Sequence, residues 1–171
     1  VAVYSLYVDL FNESFEGLTD KLEYLQDLGI TCLWLLPILD SPMRDAGFDI
    51  RDYTKVRADL VSSDKPPAEV FDTFVEAAHE KGISIIFDVA LNHASEEHAW
   101  FQTSKDDKSS HYRDYFIWSD TDELYKEARV IFKGMMDSNW TRHGDQFYFH
   151  RFFDSQPDLN YRNPAVLSEM T

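Results

Sequence analysis

The sequence predicts an α/β fold with parallel strands, and three observations support this prediction. Three apolar segments have the composition of strands: Val1 to Val8, Ile30 to Leu36 and Ile83 to Val89. The last two are nearly continuous apolar runs, which is typical of strands covered on both faces. Amphipathic helical patterns separate the three segments, and a glycine precedes the second and the third. Because crossover connections are right-handed, this β-α-β-α-β order predicts parallel pairing.

The helices are predicted from apolar residues at helical spacing. The first stripe consists of Leu18, Leu22, Leu25 and Leu28; the second consists of Val70, Phe71, Phe74, Ala77 and Ala78, after the helix-starting Pro66 and Pro67. Gly29 and Gly82 are placed to end these helices. Near the end of the chain, Asn163 and Pro164 form a cap and first-turn pair, so a last helix is expected to run to Thr171.

Connection lengths extend the fold prediction. The helix-to-strand connections are short, whereas long segments follow the second strand (residues 37–65) and the third strand (residues 94–162). Ordinary connections in such units have about 2 to 6 residues. Long connecting segments at the carboxyl ends of parallel strands are typical of a (β/α)8 TIM barrel. A doubly wound open sheet is the alternative, although no glycines with GxG spacing support a nucleotide site.

The second long segment is rich in aromatic residues, and we expect it to form a small domain. Alternating residues from Gln146 to Arg151 predict a hairpin strand within it. Its aromatic residues are expected mainly in a core.

Composition excludes some classes of partner. The chain has 31 acidic and 16 basic residues and a formal net charge of −15, which disfavours binding to nucleic acids and to anionic membrane surfaces. No apolar stretch reaches the ~18 residues of a membrane span. Cys32 is the single cysteine and lies in an apolar run, so a buried thiol and no internal disulfide are expected. A cytoplasmic location is therefore favoured.

Polar residues at the end of the third strand indicate a site. Asp88, Asn92 and His93 follow the apolar run that begins at Ile83, and polar groups at the exit of a strand can face a pocket. A buried hydrogen-bond network or a structural anchor at Asp88 is the alternative. Asp49, in the long loop after the second strand, could simply cap the turn after Gly47.

Three motifs in order carry a family resemblance. The sequence from Asp88 to His93 resembles the third-strand motif of the α-amylase superfamily (glycoside hydrolase family 13). Residues Gly47 to Tyr53 resemble its loop motif after the second strand, and Gln156 to Asn160 resemble the motif that closes its inserted domain B. Two further segments, Ser41 to Asp45 and Tyr112 to Tyr115, are similar to the branch with trehalose synthases, α-glucosidases and oligo-1,6-glucosidases.

The resemblance implies an incomplete TIM (β/α)8 barrel with an α+β insertion. Residues 1–93 would be the first three β/α units, residues 94–162 domain B, and residues 163–171 the start of barrel helix 3. In substrate binding, Phe48 would stack on the sugar, Asp49 would accept hydrogen bonds from its hydroxyls, and His93 would hold its primary hydroxyl. Asp88 would orient an arginine from the fourth strand, and Asn92 would secure the domain B junction.

The implied enzyme is a retaining α-glucoside hydrolase or transglucosylase that acts on disaccharides or oligosaccharides such as maltose. In the family, the nucleophile and the general acid come from strands four and five, which this chain does not include, so no catalytic residue is assigned. We expect the isolated chain to be inactive until the remainder of the barrel is present. A non-catalytic module that binds carbohydrate or a partner is the alternative. No cofactor is expected, although calcium near Asn92 and Asp158 remains an option.

Overall fold

The structure is a computed structural model that describes residues 1–171. It divides into two compact units, the first comprising residues 1–40 and 52–89 and the second residues 41–51 and 90–171. The predicted boundaries were 1–93, 94–162 and 163–171; in the structure, residues 41–51, 90–93 and 163–171 all belong to the second unit. The Ser95 N–H donates to the Ile50 carbonyl at 2.8 Å, and the Ala94 N–H donates to the Pro157 carbonyl at 3.2 Å.

The first unit is an α/β unit. In chain order it contains β1 (Val3–Leu6), α1 (Val8–Asn12), α2 (Phe15–Asp20), α3 (Leu22–Asp27), β2 (Cys32–Leu35), β3 (Leu39–Asp40), β4 (Asp52–Val56), a short 3₁₀ helix (Ala58–Leu60), α4 (Pro67–Glu80) and β5 (Ser84–Phe87). Strands β1, β2 and β5 form one sheet in that order, and both pairings are parallel. The three predicted strands and their direction are confirmed, with shorter bounds. Strands β3 and β4 form a separate antiparallel pair.

The helices of the first unit cover one face of the parallel sheet. Helix α4 buries Val70, Phe74 and Ala78 in a core that also contains Leu33 and Leu35. As predicted, Gly29 and Gly82 have positive φ angles, +83° and +73°, a left-handed conformation that glycine adopts without a steric penalty.

The predicted first helix is interrupted, and its last leucine is exposed. Lys21 separates α2 from α3, and its N–H donates to the Leu18 carbonyl at 3.0 Å, which closes a tighter i to i−3 turn. Leu22 and Leu25 stay buried, but Leu28 is 54% exposed. The prediction that Leu28 packs in the same stripe was wrong, because α3 ends at Asp27 and Leu28 lies beyond its last residue, at the C-cap.

Much of the second face of the parallel sheet is exposed, although Cys32 on that face is buried. The register aligns Ser5, Trp34 and Ile86 across the three strands, and Val3 lies on the same face. Val3, Trp34 and Ile86 are 51%, 41% and 50% exposed. The expectation that the strands are covered on both faces was therefore wrong for these residues, since helices pack on one side only.

The second unit is built around an aromatic core. It contains α5 (Ala99–Asp106), a 3₁₀ helix (Arg113–Tyr115), β6 (Trp118–Ser119), β7 (Trp140–His143), β8 (Gln146–Phe149) and α6 (Pro164–Glu169). Strands β7 and β8 form the predicted hairpin, and β6 pairs with the other edge of β8. The ring of Phe101 lies 5.0 Å from those of Phe116 and Tyr148, and all three are buried.

The predicted last helix is α6. The Asn163 side chain accepts a hydrogen bond from the Ala165 N–H at 3.0 Å, as expected of a cap. No helix of the chain has both the length and the apolar character needed to cross a bilayer.

Candidate functional site

Asp49 organises the loop that precedes it. Its carboxylate is fully buried and accepts three hydrogen bonds, from the Ser41 hydroxyl at 3.0 Å, the Arg44 N–H at 2.9 Å and the Asp45 N–H at 3.1 Å. Gly47 supplies a left-handed turn with φ +92°. Two backbone N–H groups that would otherwise lack partners are thereby satisfied. The present arrangement therefore gives Asp49 a structural role in the loop and no exposed surface.

His93 lies against this loop and has a defined tautomer. Its Nε2–H donates to the Phe48 carbonyl at 3.0 Å, because a carbonyl oxygen can only accept. Its Nδ1 then accepts from the Asn92 amide at 2.6 Å. Burial lowers the pKa of His93, while the Phe48 carbonyl and the charges of Asp45 and Asp49 oppose that shift. The imidazole is thus held neutral with its proton on Nε2.

Phe48 and Phe152 provide aromatic surface around His93. The Phe48 side chain is half-buried. The ring of Phe152 meets the imidazole edge-on at 5.3 Å with an interplanar angle of 65°. An aromatic ring next to polar donors and acceptors suits a ligand with both apolar and hydroxyl-bearing faces.

Asp45 is a candidate site residue that the sequence reasoning missed. It is half-buried, and its carboxylate accepts one hydrogen bond, from the Gln156 side chain at 2.8 Å. Its charge also acts on His93. Both Asp45 and Asp49 belong to one short loop, and the sequence offers no signal for which carboxylate turns into the loop. The structure leaves Asp45 with more unused acceptor capacity.

Asn92 lies at a junction between distant segments. Its carbonyl accepts from the Leu159 N–H at 3.0 Å, and His93 forms an isolated antiparallel bridge with Asp158. Its amide supports His93, so Asn92 contacts both the junction and the site. The structure therefore brings Phe48, Asp49, Asn92 and His93 together in the second unit.

Asp88 belongs to the first unit. Its backbone N–H donates to the Leu35 carbonyl at 2.9 Å, continuing the pairing of β5 with β2. Its half-buried carboxylate makes no hydrogen bond or ion pair within the chain. The role predicted for it, orienting an arginine from elsewhere, stays a prediction.

The donors near Asn92 and Asp158 do not fit a calcium cage. No cluster of three or more His, Cys, Asp or Glu side chains is arranged to hold a metal, whereas Ca²⁺ takes roughly six to eight oxygen ligands. The Asn92 side-chain nitrogen donates to His93, so that side chain could supply one oxygen ligand only. Burial raises the pKa of Asp158 to about 7, against the hydrogen bond and charge of Arg151, so this carboxylate is partly protonated near neutrality.

Comparison with known proteins identifies the family. The sequence-family model of the α-amylase catalytic domain matches residues 13–171 of the chain. The chain belongs to the α-amylase family. A trehalose synthase from Pimelobacter is 48% identical over 91% of the chain, and a trehalose synthase/amylase from Mycobacterium tuberculosis is 52% identical over 90%. A MutB variant solved in complex with sucrose is 32% identical over 99% of the chain, with a TM-score of 0.85.

The matched part is a fraction of these relatives. The chain covers 27% of the Pimelobacter enzyme, 25% of the mycobacterial one and 31% of the MutB chain. Membership of the α-amylase family therefore rests on one region of longer proteins. The fold class agrees with this membership, because the first unit is an α/β unit with a parallel sheet.

Proposed function

We propose that the chain is the amino-terminal portion of a retaining α-glucoside hydrolase or transglucosylase. Its parallel strands would be the first three of a (β/α)8 barrel, and the second unit would contain domain B. Two observations support this reading. The strands are adjacent in chain order, β1-β2-β5, and the chain spans about a quarter to a third of its relatives' length.

The exposed sheet face also supports a longer protein. Trp34 and Ile86 point away from the helix-covered side and are 41% and 50% exposed. Large apolar side chains side by side on a sheet are favoured only when further structure covers them. The remaining strands of a closed barrel would do this, since side chains fill the interior of such a barrel.

The observation that carries the proposed substrate class is the cluster around His93. A neutral imidazole with a fixed tautomer, a half-buried Phe48 ring and the half-buried Asp45 carboxylate lie in one region. Neutral sugars need this combination, because carboxylates and imidazoles bond the hydroxyls while an aromatic face covers the CH side of the ring. We assign Phe48 and Asp45 to sugar contact, and His93 to a sugar hydroxyl that would replace one of its present partners, the Phe48 carbonyl or the Asn92 amide. Asp49 holds the loop that presents them.

The proposed chemistry requires groups from outside these residues. Retaining enzymes use two carboxyl groups about 5 to 5.5 Å apart, one as nucleophile and one as acid and base. Asp49 is committed to three hydrogen bonds and is fully buried, so it is not a nucleophile. The isolated chain would bind without cleaving, because contacts that are equal in ground and transition states do not accelerate a reaction.

Activity of the chain and of the full-length gene product tests this proposal. With an aryl α-glucoside as substrate, the full-length protein should turn over and residues 1–171 alone should not. Turnover by the short chain above the uncatalysed rate would refute the assignment of catalysis to the missing part. A full-length protein that binds maltose but never cleaves an α-glucoside would favour a non-catalytic module.

Point variants of the full-length protein test the binding site. His93→Ala and Asp45→Asn should raise KM for the aryl glucoside at least roughly tenfold, since each removes a polar contact worth about 1.4 kcal/mol or more. Asp106→Asn, at the exposed end of α5, is the matched control and should leave KM unchanged. If His93→Ala and the control have the same KM, the proposed site is wrong.

A further inference from the structure

The second unit contains a cavity that none of the proposed site residues lines. Its volume is about 640 Å³, within the range of roughly 300 to 1,000 Å³ that holds small molecules. Its lining comes from three segments, residues 114–118, 125–128 and 160–162, and from Phe149. The third segment follows the bridge between His93 and Asp158. The cavity therefore has its own set of side chains, distinct from those of the proposed site.

Rigid aromatic rings form its walls. Tyr125 stacks on Trp140 with centroids 6.1 Å apart and an interplanar angle of 6°, and it meets Phe149 edge-on at 5.7 Å. The Trp140 indole donates to the Leu124 carbonyl at 2.8 Å, which secures the segment that carries Tyr125. Tyr161 is 41% exposed. Its hydroxyl donates to the Leu91 carbonyl, so its ring is held in place.

Tyr125 has an unusual backbone conformation. Its φ angle is +56°, a left-handed conformation that a bulky side chain rarely adopts. Such conformations persist where the surrounding structure holds them and concentrate at ligand sites. Here the conformation places Tyr125 in the wall of the cavity while its ring stays stacked on Trp140.

The polar groups of the cavity carry mixed charge. Asp114 and Glu127 are exposed, and neither carboxylate accepts a hydrogen bond within the chain. Arg162 makes one long hydrogen bond, to the Tyr125 hydroxyl at 3.3 Å, and its guanidinium lies 6.0 Å from that ring. The Asn160 amide is already bonded, donating to the Asp114 carbonyl at 3.0 Å and accepting from the Arg162 N–H at 3.3 Å. Two carboxylates against one guanidinium leave the lining with a net negative charge.

This chemistry selects one class of ligand. Two carboxylates disfavour an anion, and Arg162 already occupies the position next to Tyr125 that an organic cation would take. An apolar molecule would desolvate three charged groups without bonding them. A polyhydroxylated neutral molecule satisfies all of them, because its hydroxyls donate to carboxylates and accept from guanidinium while its CH faces pack on aromatic rings. We propose that this cavity binds a neutral oligosaccharide, as a second carbohydrate site separate from the one around His93.

The inference goes beyond the proposed function and does not depend on catalysis. It is tested on the full-length gene product by hydrogen exchange read by mass spectrometry. The probe is maltotriose with sulfur in place of the glycosidic oxygens, so that it resists cleavage. Protection of residues 114–118, 125–128 and 160–162 is expected, and it should persist in His93→Ala. Glucose 6-phosphate, an anion, should not protect these segments.

Variants connect the protection to the cavity. The double variant Asp114→Asn, Glu127→Gln should lose it, with binding at least tenfold weaker by calorimetry, whereas Lys126→Gln, next to Glu127 and outside the lining, should retain it. Tyr161→Leu provides a second test if the double variant does not fold. Absence of protection in the full-length protein, protection that His93→Ala removes, or full binding by a folded cavity variant would each overturn the inference.

Discussion

Asp158 provides a sharp test of the electrostatics at the junction. Its carboxyl is half-buried, its Oδ1 accepts the Arg151 N–H at 2.8 Å, and burial raises its pKa from 3.8 to about 7. Because the pKa is higher in the folded protein than in the unfolded chain, the protonated form stabilises the fold. This contribution is fully present below about pH 4 and is lost as the pH rises through 7.

The size of the effect follows from the pKa difference. At about 1.4 kcal/mol per pKa unit, an increase from 3.8 to about 7 corresponds to at most ~4 kcal/mol. Partial solvent access reduces this to an expected ~2 kcal/mol. Asn in place of Asp158 keeps an oxygen that can accept from Arg151 but never ionises. Asp158→Asn should therefore match the wild type near pH 4 and be more stable near pH 8.

Thermal unfolding of wild type and variant between pH 4 and pH 8 is the measurement. A free-energy gain of ~2 kcal/mol should raise Tm by roughly 4 to 8 °C at the upper pH. Asp154→Asn, which removes an exposed carboxylate four residues away, is the matched control. A difference between Asp158→Asn and wild type that does not change with pH would refute the reasoning, because then Asp158 does not titrate in this range.

Three further predictions concern the first unit. Burial raises the pKa of Glu16, but hydrogen bonds from Ser63 and Ser62 outweigh this effect and lower the pKa to about 2. The ionised form therefore stabilises the fold, and the free-energy difference between wild type and Glu16→Gln should shrink as the pH falls from 4.5 towards 2. Urea titrations measure this difference, and a value that does not change with pH would contradict the prediction. Gly82→Ala should cost roughly 1 kcal/mol in thermal unfolding, since φ is +73° and an added Cβ meets nothing within 4 Å; an unchanged Tm would show that the left-handed turn is not required. Phe74→Ala should lower the free energy of unfolding in urea by about 3 to 5 kcal/mol, because Phe74 is fully buried. The control is Phe87→Ala, whose side chain is 43% exposed. An equal loss of stability in both variants would show that the prediction is wrong.

Much of the first unit is predictable from local sequence. The strands β1, β2 and β5, helix α4 and the turns at Gly29 and Gly82 follow from hydrophobic period and turn chemistry. Two predictions about burial failed, because burial depends on where a helix ends and on which structure covers a sheet. Helix α3 ends at Asp27, which leaves Leu28 outside the buried stripe. The exposed Trp34 shows that an apolar run does not reveal whether both faces of a strand are covered within the same residues.

The candidate site was only partly predictable. The motifs marked Phe48, Asp49, Asn92 and His93, and these four residues lie together in the second unit. Their individual roles in sugar binding stay predictions. Sequence could not distinguish Asp45 from Asp49, because the difference depends on which carboxylate the loop folds around. Phe152 likewise joins His93 only through pairing of segments far apart in the chain.

By itself, the sequence determined the α/β class, the order of the three parallel strands and the region where polar residues gather. Those features depend on neighbours within a few residues, through side-chain period, helix caps and glycine turns. Only the tertiary structure decided which polar atoms form hydrogen bonds within the chain and which stay available to a ligand. Asp49 and His93 are bonded within the fold, whereas the carboxylates of Asp114 and Glu127 make no hydrogen bond. Hydrogen-bond partners and burial are set by contacts between distant segments, and no local pattern encodes them.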